Sequence, residues 1–125
     1  MATGASGAGT FTYPVRFYSG DGRQLEELNP LVGTGSLFTW IPATILARLD
    51  VAPEQEIPFR LASGQVVRRP TADALVEIDG LRHVTAVVFG EPADPTLLGA
   101  LTLERFLLMP DVVHRRLVPI VPTAA

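Results

Sequence analysis

Cysteine and lysine are both missing from this chain. Without cysteine there are no disulfides, no thiolate zinc sites and no cysteine nucleophiles. Every one of the 10 basic residues is therefore arginine. The pairs Arg68-Arg69 and Arg115-Arg116 stand apart from other basic residues and read as solvated faces, not as a binding stripe. A basic excess is lacking too: the net charge is −3, which argues against a nucleic-acid partner. No apolar run approaches the roughly 20 residues of a membrane-spanning helix, so no membrane partner is expected. Residues 1–10 have neither a basic flank nor an apolar run and read as a flexible tail, not a signal peptide. The expected location is cytoplasmic. The two histidines, His83 and His114, make a poor metal site without cysteine. No metal and no cofactor is expected.

What is present is apolar and finely punctuated. The 125 residues suit one domain with a real core. Its expected limits are residues 11–121, with a short tail at 122–125. Apolar residues make up 47%, a high share that points to surface covered by a partner subunit. Residues 11–18 alternate apolar and polar, as a strand with one buried face does. Ser19-Gly20-Asp21-Gly22 is a hairpin turn signal, and residues 25–32 return as the second strand. Pro30 places part of that strand on an edge or at a bulge. Pro42 opens a short helix that carries Ile45, Leu46 and Leu49. Residues 56–61 and 66–67 flank the turn at Ala62-Ser63-Gly64-Gln65. A further hairpin turns at Asp79-Gly80. Residues 100–108 read as a second helix, 111–115 as a turn and 117–121 as a last strand. Many short strands and two short helices predict a mainly β chain, closed as a small β-barrel.

The stretch around which this pattern is organised is Leu31-Val32-Gly33-Thr34-Gly35-Ser36-Leu37-Phe38-Thr39-Trp40. A buried strand end runs into a small-residue loop and out into another strand. With Asp in place of Gly33, the loop is Val-Asp-Thr-Gly-Ser. The chain thus resembles the retroviral-type (retropepsin-like) aspartic proteases. The likeness covers nearly everything after the tail. It includes the loop, a flap-like hairpin with its tip at Ser63-Gly64, the element Leu97-Leu98-Gly99 and the helix that follows. The helix after Pro42 makes it more similar to the bacterial and archaeal single-domain members than to the viral ones.

This resemblance implies an acid-protease barrel and a homodimer, because each subunit of that family supplies half of the site. It implies a peptide or protein substrate. Gly33 takes the position of the catalytic Asp, with Thr34 and Gly35 completing the motif. Ser36, Ala62, Ser63, Gly64, Pro92 and Leu97 fall where the substrate is bound. Two apposed carboxylates that share one proton activate a water and polarise the peptide carbonyl. Gly33 has no carboxylate, so the chain as written lacks that pair. Asp50, Asp73, Asp79, Asp94 and Asp111 read as caps and turns and offer no substitute. Ser36 with His83 or His114 has no orienting acid.

Three readings follow. One is an aspartic endopeptidase silenced at Gly33, which Gly33→Asp would restore. Another is a non-catalytic peptide-binding pseudoprotease of the same fold. The third is an unrelated small β-barrel that serves in assembly.

Overall fold

The computed structural model describes residues 9–124. The tail expected at 1–10 lies outside the described residues except for Gly9 and Thr10. The chain is mainly β with two short helices, as the turn spacing predicts. In order it runs β1 (Phe11–Thr12), β2 (Val15–Tyr18), β3 (Leu25–Leu28), β4 (Leu31–Val32), β5 (Thr39–Pro42) and helix α1 (Ala43–Arg48). Next come β6 (Gln55–Arg60), β7 (Val66–Ile78), β8 (Leu81–Gly90), helix α2 (Ala100–Arg105), β9 (Leu108–Asp111) and β10 (Arg116–Pro119). None of the described helices is long and apolar enough to cross a membrane.

One sheet dominates, in the order β3-β2-β7-β8-β5, with β6 paired to β7 outside that path. All its pairings are antiparallel except β5 with β8, which is parallel. Alternation along β2, β7 and β8 sends Val15, Phe17, Val76, Ile78 and Val87 inward, where they are essentially fully buried. Ile41 from β5, Leu46 from α1 and Leu103 from α2 pack into the same core.

The closed barrel expected from the sequence does not form. The edges of the main sheet, β3 and β5, do not meet, and β1–β4 and β9–β10 are separate two-stranded ladders. Two prolines interrupt the first hairpin. Pro14 separates β1 from β2, and Pro30 separates β3 from β4, at neighbouring levels of the paired strands. Pro30 faces Tyr13 in a hydrogen-bonded pair and has no N–H to return the bond. A single backbone bond, from Tyr13 N–H to the Pro30 carbonyl, spans the break.

Other boundaries shift for local reasons. Leu37 and Phe38 precede β5 instead of lying in it, and Pro42 is the cap before α1, not its first residue. The second helix stops at Arg105 because Leu107 adopts a left-handed backbone (φ 54°). Residues 108–111 then form β9 instead of more helix. Residues 66–78 form one unbroken strand of 13 residues.

Candidate functional site

The segment at 96–98 threads between the strand that enters the Gly33 loop and the strand that leaves it. On one side Leu31 N–H donates to the Thr96 carbonyl (3.0 Å) and Leu98 N–H to the Leu31 carbonyl (2.8 Å). On the other side Trp40 and Leu97 exchange two backbone bonds, at 2.9 and 3.0 Å. Gly99 then passes so close to residues 37 and 38 that a Cβ there would collide with the Phe38 carbonyl and lie 2.6 Å from the Leu37 oxygen. This contact admits only glycine. The first backbone N–H groups of α2 cap the loop, since Ala100 donates to the Ser36 carbonyl (2.9 Å) and Leu101 to that of Leu37 (3.0 Å).

Beneath the crossing, three buried hydroxyls satisfy one another. Thr39 Oγ1 lies 2.6 Å from Thr102 Oγ1, which lies 3.1 Å from Thr85 Oγ1. Thr39 Oγ1 also accepts the Gly99 N–H at 2.9 Å. The network joins β5, β8 and α2 without an unpaired polar atom, which a buried site requires.

Over this crossing reaches the hairpin of β6 with the first residues of β7. Residues 66–70 pair with β6 alone, whereas pairing with β8 begins at Thr71. The hairpin therefore leaves the main sheet as a two-stranded arm. Phe59, on its inner side, packs edge-on against Phe38 and Trp40, with ring centroids 5.3 and 5.1 Å away. At the tip, Leu61 N–H donates to the Gln65 carbonyl and Gly64 N–H to that of Leu61, both at 2.8 Å.

Arm, loop and residues 93–95 enclose a cleft of about 570 Å³. Of the residues expected from sequence, Thr34, Gly35, Ser36, Ala62, Ser63 and Leu97 line it together. Gly33, Gly64 and Pro92 do not. Gly33 faces a smaller groove of about 210 Å³, bounded by Leu98, Leu103, Glu104 and Met109. Next to Pro92, it is Ala93, Asp94 and Pro95 that form the wall. Trp40, Arg60 and Asp94 also line the cleft. The resemblance implies a cleft wall at residues 91–95, which takes in Asp94, whereas the sequence reading gave Trp40 and Arg60 no site role. Trp40 reads as plain core, and Asp94 carries the signal of an ordinary turn.

Asp94 is the single carboxylate on the cleft wall among the described residues, and it is fully engaged. Arg69 Nε donates to its Oδ2 at 2.8 Å and Nη2 to its Oδ1 at 3.3 Å, while Glu91 N–H also reaches Oδ2 at 2.8 Å. The hydrogen bonds from Arg69 hold its carboxyl below the usual range, against the opposing pull of burial. An acid paired with a guanidinium in this way is poorly set up to share a proton with a second carboxylate. Arg69 is itself buried, which corrects the reading of Arg68-Arg69 as a wholly solvated pair.

Gly33 fits its place as glycine. Its φ is +84°, and a Cβ would collide with the Gly9 carbonyl oxygen and lie 3.1 Å from Val112 Cγ1. An Asp there meets both a rarely populated backbone and an occupied position. The single change Gly33→Asp, expected from sequence to restore catalysis, therefore also requires residue 9 to move.

Ser36 is no nucleophile. Its hydroxyl donates to the Phe38 carbonyl at 2.8 Å. His83 packs on Phe106, and His114 bonds Asp111 at 2.8 Å. Among the described residues no three acidic or histidine side chains converge to hold a metal. Neither the protein-family models nor the curated proteins give a match to this chain.

Proposed function

We propose that this chain is a non-catalytic protein of retropepsin-like type that captures an extended peptide between its arm and the Gly33 loop. The observation that carries this reading is the joint lining of one cleft by Thr34-Gly35-Ser36, the arm tip at Ala62-Ser63 and Leu97. The crossing of 96–98 between β4 and β5 is the arrangement that the resemblance implies for an Asp-Thr-Gly loop. An open arm with unpaired strand edges can add a peptide strand, with main-chain bonds giving affinity and side-chain pockets giving selectivity. The missing carboxylates remove water activation, so binding without cleavage is what the residues support.

The same reading makes the protein a homodimer that joins through the loop face. Apolar side chains are left exposed around that face: Leu37, Leu101, Met109 and Val113 are each more than 40% accessible. Val112, beside Gly33, belongs to the same surface. Apolar residues gathered around one loop face form the kind of surface that a second subunit would cover.

Calorimetry with a panel of acetylated, amidated apolar octapeptides tests the proposal. Saturable binding is expected, to be lost on deletion of residues 62–64 while the melting temperature holds. Sedimentation is expected to give a dimer. A stable monomer that binds none of the panel would contradict the reading and favour the assembly-protein alternative.

A further inference from the structure

The arm carries three arginines near one another in sequence order, and two of them are spoken for. Arg68 Nε bonds Glu56 at 2.9 Å, and Arg69 is bound to Asp94. Arg60 differs. Its only side-chain bond among the described residues runs from Nη1 to the Gly64 carbonyl, at 3.1 Å, and no carboxylate pairs with it. That bond uses one of five guanidinium N–H donors. Arg60 also lines two of the cavities that flank the loop: the cleft at the arm tip and the aromatic groove beside Phe38 and Phe59. Asp94, the other charge on the cleft wall, is already neutralised by Arg69 and stays with it. The cleft therefore presents one uncompensated positive charge, with donors left over, at the root of the arm tip.

We infer that Arg60 makes the cleft selective for an extended peptide with a carboxylate side chain, Asp or Glu, at the position that lies beside residue 60. The inference rests on the peptide-binding reading above and adds the class of peptide. A carboxylate accepts two parallel N–H bonds from a guanidinium, a geometry that a neutral amide does not match. The Gly64 carbonyl bond holds the guanidinium over the cleft and limits the side-chain freedom lost on binding. In a half-open site such a charge-assisted pair gives about tenfold in affinity.

The test uses acetylated, amidated octapeptides with an apolar frame and one position cycled through Asp, Glu, Asn and Gln, read by fluorescence anisotropy. At one position the acid is expected to bind about tenfold more tightly than its amide. That ratio is expected to fall to about one in Arg60→Gln, to persist in part in Arg60→Lys, and to shrink when salt is raised to about 0.5 M. A parallel set with a free C-terminal carboxylate and no acidic side chain separates the two sources of the charge. Preference for that set alone would overturn the side-chain assignment. Binding with no acid preference, or a preference that survives in Arg60→Gln, would overturn the inference and leave the peptide-binding reading in place. No binding by any peptide would overturn both.

Discussion

The two parts of strand β7 have different surroundings. From Thr71 to Ile78 the strand has partners on both sides for much of its length, and Ala72, Ala74, Val76 and Ile78 are buried. From Val66 to Pro70 it pairs with β6 alone, and Val66 is half exposed. One strand thus anchors the core at one end and at the other backs β6, from which Arg60 and the turn residues Leu61, Ala62 and Ser63 line the cleft. Pro70 stands at the junction, where no second neighbour requires its missing N–H. Arg69 is the exception in the outer part: its buried side chain ties the arm's root to the loop at 91–95 through Asp94. The lesson is that stability and binding are segregated between the core around the inner part of β7 and the arm that its outer part supports, so mutations in the two regions should act on different observables.

The largest effect expected from this contrast is on the inner side. Phe17, fully buried against the inner part of β7, should cost about 4 kcal/mol on Phe17→Ala, seen as a large drop in denaturant midpoint. Its counterpart on the arm, Phe59→Ala, should cost only about 1 kcal/mol because the ring is half-buried. It should nonetheless weaken peptide binding about tenfold. Equal stability losses at the two positions would break the comparison.

Next in size is the tie between the two regions. Arg69→Met leaves Asp94 largely buried without its partner and should cost about 2 kcal/mol by chemical denaturation. The sign with pH follows from the lowered carboxyl of Asp94. Its contribution is complete above the carboxyl's ordinary, unfolded-state pKa and is lost as pH falls through the lower folded value. The wild type should therefore lose stability on acidification more steeply than Asp94→Asn. Parallel acid profiles would contradict the role given to the pair.

Smaller still is the cost of Gly33→Asp, about 1–2 kcal/mol for a left-handed, crowded position. The single variant should show no peptidase activity. Peptide hydrolysis by it would restore the simpler view that one substitution separates this chain from an active protease.

Much of this arrangement is legible in the residues, and the failures have physical causes. The turns at Asp21-Gly22, Gly64 and Asp79-Gly80 are where the sequence places them, because positive φ at Gly22, Gly64 and Gly80 needs glycine. The Leu97-Leu98-Gly99 element was readable through its glycine too, though for another reason: Gly99 is demanded by close contact with residue 38, not by its backbone angle. The continuity of β7 was not readable, since Arg68-Arg69-Pro70 resembles a break until its one-sided pairing is known. Strand β9 was hidden because Leu107 and Leu108 continue an apolar helical pattern that only the backbone at Leu107 ends. The break in the first hairpin was not readable, because Pro14 and Pro30 fall at neighbouring levels of two paired strands, a relation of register that no single strand displays. In the site, the loop and arm tip were found by their glycines. Trp40 and Arg60 were missed because long-range packing, not local pattern, brings them to the cleft.

The most direct measurement uses the chain's single tryptophan, since Trp40 lines the proposed binding cleft. Its emission is to be titrated with the octapeptide panel, and the mixture then examined for new peptide termini by mass spectrometry. A saturable change in Trp40 emission with every peptide left intact is the predicted result. Emission that ignores the peptides, or peptides cut during the titration, would contradict the account.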